Sequence, residues 1–189
     1  MTCLAIVCLG CDMQKVIIVA GISSAGKSTF IERVLQPKFN FLKSDVKFAG
    51  KLSESFDLGS SDCCVVHYNL LLQFDWERSR QAISLHEEPV FKKLLEECGG
   101  ADVFLIFAPI NELQDRIRSR RYVEPYFLAT TGRYPSDEIC KRLNRVDQRA
   151  LLIEFGDAFE EFGSSISVWI SEKGNSHGVS FGEFKKLGM

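Results

Sequence analysis

Gly21-Ile22-Ser23-Ser24-Ala25-Gly26-Lys27-Ser28-Thr29 fills every position of the pattern G-x-x-x-x-G-K-[S/T], and the chemistry of that spacing is phosphate binding. Gly21 and Gly26 let the backbone turn tightly and approach a ligand, so that Ser23, Ser24, Ala25 and the amides up to Thr29 form an anion nest at a helix N-terminus. Lys27 supplies a mobile point charge for β- and γ-phosphate oxygens, and Ser28 a hydroxyl for the Mg²⁺ that bridges them. The intact Gly26-Lys27-Ser28-Thr29 end favours a nucleoside triphosphate with Mg²⁺, read as ATP.

A loop of this kind works only between a buried strand and a helix. Lys15-Val16-Ile17-Ile18-Val19-Ala20 is a short β-branched run that reads as a parallel strand. Phe30, Ile31, Val34 and Leu35 recur at helical spacing, with Pro37 expected to end the helix. Further along, strands are expected at 15–20, 39–43, 63–68, 102–108 and 166–170. Helices are expected at 27–36, 45–56, 76–97 (interrupted near Pro89), 110–121 and 136–162. Phe181, Phe184 and Leu187 suggest a short amphipathic helix packing back on the body. The alternation predicts an α/β three-layer sandwich around a parallel five-stranded sheet, with the loop at its carboxyl edge.

Two further groups of residues bear on chemistry. Eight of the eleven arginines (Arg116, Arg118, Arg120, Arg121, Arg133, Arg142, Arg145, Arg149) fall between 116 and 149, a stretch with one lysine. Guanidinium forks bind phosphate bidentately and never lose their charge, so Arg116 and Arg120, at i, i+4, are candidates to close over a transferring phosphoryl group. Residues 122–136 between the clusters read as a mobile lid. The alternative is a solvated face paired with Asp115, Glu124, Glu138 and Asp147. Asp45 is the candidate carboxylate for orienting an acceptor hydroxyl, against a plain helix-capping role. At the end of the third strand His67 and Asn69 alternate with Tyr68 and point to one face, where they either bind an acceptor or are simply satisfied polar groups. No carboxylate ends that strand.

Asp102-Val-Phe-Leu-Ile-Phe-Ala-Pro followed by Leu113-x-x-Arg116-x-x-x-Arg120-Arg121 is similar to the fourth strand and lid-entry helix of the small-molecule and nucleotide kinases of the P-loop nucleoside triphosphate hydrolase superfamily. The Gly-x-Ser-Ser-Ala-Gly-Lys-Ser loop resembles that of chloramphenicol phosphotransferase-type kinases. The resemblance implies a kinase-like fold with a lid at about 116–136, and transfer of the γ-phosphate of ATP to a small hydroxyl or phosphate acceptor. It also implies that an aspartate after the second strand, here Asp45, contacts that acceptor.

Composition sets the remaining bounds. At 189 residues, 46% apolar and 25% charged, the chain suits one globular domain, and a net charge of −2 gives no global attraction to nucleic acid or anionic lipid. The expected division is an appendage at 1–12 and a functional domain over 13–189. Cys3, Cys8 and Cys11 have a spacing that iron–sulfur ligands use, but a fourth ligand would have to come from Cys63 or Cys64 on a strand. The seven cysteines therefore read as free thiols of a cytoplasmic, ATP-using protein. A GTPase lacks support: no D-x-x-G occurs, and Asn144-Arg145-Val146-Asp147 lies in a helical segment. An ATP-binding regulatory protein without an acceptor, and a kinase for nucleic-acid ends using a face of Arg142, Arg145 and Arg149, are the alternatives.

Overall fold

The computed structural model describes residues 14–52, 54–71, 74–75, 80–81, 84–98, 100–119 and 136–187. Its centre is β1 (Lys15–Gly21), whose Ile17, Ile18, Val19 and Ala20 are fully buried because sheet neighbours and helices cover both faces. On one side β1 pairs in parallel with β3 (Cys63–Asn69), from Lys15 opposite Cys63 to Gly21 opposite Asn69. On the other it pairs in parallel with β6 (Asp102–Phe107). The outer strands are β2 (Val46–Phe48) beside β3, then β7 (Ser165–Ile170) and β8 (His177–Ser180) beyond β6. The order is β2-β3-β1-β6-β7-β8, with β8 antiparallel. The expected all-parallel sheet of five strands is thus a mixed sheet of six. A separate two-stranded antiparallel ribbon pairs β4 (Phe74–Asp75) with β5 (Arg80–Gln81).

Helices lie on both faces. The chain leaving the loop runs through α1 (Lys27–Phe30), a π turn (Ile31–Leu35) and α2 (Gln36–Phe39). Phe30 on this stretch packs against Phe104 and Trp169, ring centroids 5.3 Å apart in each case. The opposite face carries α4 (Pro89–Glu97) and α7 (Gln148–Glu161), whose Phe91, Phe155 and Phe159 cluster with Tyr68 of β3. α8 (Phe181–Lys186) closes that layer with Phe184 against Phe107. Phe181 packs so closely over Gly156 that a β-carbon there would lie 2.4 Å from its ring. α3 (Ala49–Leu52), α5 (Ile110–Ser119) and α6 (Ser136–Leu143) complete the helices that the described residues form.

Four boundaries differ from expectation, each for a local reason. Pro37 does not end the first helix. It sits in the first turn of α2, where its missing N–H costs least, the preceding π turn absorbs the change of pitch, and Asn40 in the left-handed region stops the helix. The second strand lies at 46–48, not 39–43, and follows a 3₁₀ turn over Lys43–Asp45, so the helix expected over 45–56 shrinks to α3. The helix expected from 76 starts at Pro89, capped by Glu88. The helix expected over 136–162 is two, because tight turns donate Arg145 N to Arg142 O and Val146 N to Leu143 O before Asp147 caps α7 through Ala150 N.

Candidate nucleotide site

The loop leaves β1 at the carboxyl edge, beside the point where strand order reverses, which is where open α/β sheets bind ligands. Both of its glycines are required by contact. A β-carbon on Gly21 would lie 2.7 Å from Ile106 O of β6, and one on Gly26 would lie 2.8 Å from Ser171 Oγ. Gly26 also has φ +107°, and Ser24, at φ +67°, adopts the left-handed conformation without being glycine. Alternation of this kind turns successive peptide groups and builds a concavity. Within it Ala25 N donates to Ile22 O at 3.3 Å, and Phe30 N donates to Gly26 O at 2.9 Å as the helix begins.

Lys27 is only 5% exposed, and its ammonium donates to Gly21 O at 2.8 Å and Ile22 O at 2.7 Å. The charge is thereby folded back across the mouth of the loop that it belongs to. Ser28 and Thr29 face solvent. Ser24 Oγ is buried with no hydrogen-bond partner among the described residues. Next to the loop, Leu70 N donates to Gly21 O and Asn69 Nδ2 donates to Ser23 Oγ at 3.3 Å, so the end of β3 is tied to the loop.

His67 and Asn69 share a face, as alternation predicts, and Tyr68 points to the other, where its hydroxyl donates to Glu88 at 2.8 Å. The His67 ring lies 4.9 Å from that of Phe48, which is 45% exposed at the end of β2. Burial first, and the Lys27 charge second, push the His67 imidazole down to about 3, so it is neutral at physiological pH.

Arg116 sits behind the loop. Nη1 donates to Ser24 O at 3.2 Å and Ala25 O at 2.9 Å; Nη2 donates to Ser171 O at 2.8 Å and Ser171 Oγ at 3.2 Å, with Glu112 at 3.6 Å one turn back. Its guanidinium thus spends its fork on backbone carbonyls rather than facing the mouth. Sequence reasoning missed Ser171; the signal was its place directly after a strand ending on the same sheet edge.

Other candidates are not brought to the loop. Asp45 precedes β2, whose Val46 stands opposite Val65, whereas the loop begins level with Asn69. Four residues of strand separate those levels, about 13 Å. Its carboxylate instead accepts from Leu42 N and Ser61 Oγ, both at 2.7 Å, and these bonds, Ser61 first, hold it below the usual carboxylate range. Arg142, Arg145 and Arg149 do not share a helix face, because the break between α6 and α7 separates them. Arg149 donates to Phe184 O and Lys185 O, a packing role. Arg120, Arg121, Arg133 and the lid expected at 122–136 fall, up to residue 135, outside the described residues, as does the segment 1–12 with its three cysteines.

Among the described residues no three or more His, Cys, Asp or Glu side chains gather as a metal-binding group. A Mg²⁺ held mainly by phosphate oxygens and water needs few protein ligands, and the exposed Ser28 hydroxyl at the start of α1 suits that arrangement. No helix among the described residues is long and apolar enough to cross a membrane. No family model matches the chain, and a search of curated proteins finds no match either.

Proposed function

We propose that this chain binds ATP·Mg²⁺ at the 21–29 loop and transfers the γ-phosphate to a small hydroxyl or phosphate acceptor, in the manner of a P-loop kinase. The observation that carries the reading is the Lys27 ammonium lying across the loop on the Gly21 and Ile22 carbonyls, ready to exchange those oxygens for phosphate oxygens without leaving the site. The loop amides would receive the phosphate chain and Ser28 would contact Mg²⁺, which supplies charge neutralisation between the β- and γ-phosphates. His67 and Asn69 stand at the adjoining strand end, where a neutral imidazole can accept a hydrogen bond from an acceptor hydroxyl. Arg120 keeps its proposed role of closing over the phosphates.

A second reading, binding or slow hydrolysis of ATP with no acceptor, is favoured by two observations. β3 ends in Asn69 rather than a carboxylate, and Asp45 stands near the opposite edge of the sheet. The nucleic-acid-end alternative loses its support with the divided arginine face.

A γ-phosphate transfer screen against pooled metabolites, with ADP release followed in parallel, separates the two. Phosphorylation of one compound supports the kinase; ADP release with no phosphorylated product supports the second reading. Lys27→Ala is expected to abolish either activity while leaving far-ultraviolet circular dichroism unchanged. Full ATP binding and turnover in that folded variant would overturn both.

A further inference from the structure

We propose that Arg116 is the positioning residue of the phosphate loop: by gripping the outward carbonyls of Ser24 and Ala25 from an anchor on Ser171, it turns the Gly26 N–H toward the bound phosphate. The inference rests on the nucleotide reading of the loop and deepens it. In a trans peptide the C=O and N–H point in opposite directions. Fixing Ala25 O outward at 2.9 Å on Nη1 therefore fixes the N–H of the same peptide, that of Gly26, inward. The neighbouring peptide, gripped at Ser24 O, has its N–H already committed to Ile22 O, so the grip there holds the loop's internal turn. A donor carrying full charge also polarises the peptide that it binds, which strengthens the opposite N–H as a donor.

The anchor is independent of the loop. Nη2 is held by both oxygens of Ser171, the residue that follows β7, and Glu112 fixes the guanidinium from its own helix. Gly26 has no room for a β-carbon because Ser171 Oγ and Arg116 Nη1 stand 2.8 and 3.3 Å from where it would be. Loop, arginine and strand end are thus in contact on three sides, and the guanidinium supports the nest from behind without touching the ligand. A lysine in this place reaches one of the two partners at a time, since it lacks the fork.

The test uses the full chain and three Mg²⁺-bound probes, pyrophosphate, ADP and ATP, titrated calorimetrically against wild type, Arg116→Met, Arg116→Lys and Ser171→Ala. The expected result is that Arg116→Met weakens all three by a common factor, roughly tenfold, the usual worth of one well-placed charge-assisted bond. Arg116→Lys should lie between it and wild type, and Ser171→Ala should cost severalfold. Loss confined to ATP would mean that Arg116 reaches the γ-phosphate itself, and unchanged affinities would mean that the grip is idle; either overturns the proposal. A ligand-free readout keeps it separate from the nucleotide reading: the Gly26 and Lys27 amides should fall in nuclear magnetic resonance order parameter in Arg116→Met and recover in part in Arg116→Lys. If wild type binds none of the probes the nucleotide reading fails, and the order parameters alone decide the positioning role. Should Arg116→Met not fold, Arg116→Lys carries both arms.

Discussion

A histidine kept neutral beside a lysine is sensitive to acid before any carboxylate is. The unfolded His67 takes up a proton near pH 6.5, whereas the folded one resists until about 3, so the unfolded state binds more protons across that window. Its contribution is complete above pH 6.5 and lost as pH falls, by up to about 1.4 kcal/mol per unit. Urea midpoints of wild type and His67→Phe between pH 6.5 and 5.5 should show a shallower decline in the variant; parallel curves would return His67 to an ordinary polar residue. Gly26 tests the loop by shape. Gly26→Ala should destabilise the fold by roughly 1–3 kcal/mol from its positive φ and remove the phosphate binding proposed for the loop. Adding Ser171→Gly should restore part of the stability, that due to the close contact, and none of the part due to φ.

At the level of elements, the strand-loop-helix unit around residues 21–29 was legible because glycine spacing, a β-branched run and a helical period coincide on one stretch. So were β3, β6, β7 and the tail helix. The second strand was not, because Phe39, Phe41 and Leu42 look more strand-like than Val46-Lys47-Phe48, and only the left-handed turn at Asn40 and the pairing of Val46 with Val65 decide the matter. Asp45 was misplaced with it: a shift of a few residues moved the carboxylate from one edge of the sheet toward the other. The reading of His67, Tyr68 and Asn69 needed only the period of two and was right about their faces. Arg116 was marked for its charge, but the carbonyls that it binds belong to residues remote in sequence, which no local pattern encodes. The entry to α4 was blurred as well, although Pro89 biases Glu88 toward extended backbone. Glu88, 3% exposed, accepts from Val90 N, Phe91 N and the Tyr68 hydroxyl. Glu88→Ala leaves three buried donors without an acceptor and should cost about 3 kcal/mol or more, whereas Tyr68→Phe removes one donor and should cost about 1 kcal/mol. Equal losses on chemical unfolding would mean that the cap is replaced by water.

For the molecule as a whole, the antiparallel β8 and α8 decide whether the sheet is covered. Phe181 and Phe184 are 3% and 2% exposed, and α8 is further held by Arg149 and by Lys185 between Asp157 and Glu160. Burial of two phenylalanines is worth about 3–6 kcal/mol, a large share of the roughly 5–15 kcal/mol that holds a domain together. Removal of residues 177–189 should therefore abolish cooperative unfolding and expose the Phe107 face to a hydrophobic dye; a truncated chain that unfolds as sharply as the full one would make the last two elements ornamental. The grip of Arg116 on Ser171 also has a meaning in time. Translation delivers the 21–29 loop before its outer support, which must wait for Arg116, and the anchor of that support for Ser171. Because the ribosomal exit tunnel encloses the most recently joined residues, Ser171 emerges only after Phe181 and Phe184 have been added behind it. The support of the loop and the closure of the core therefore become available to the emerging chain together.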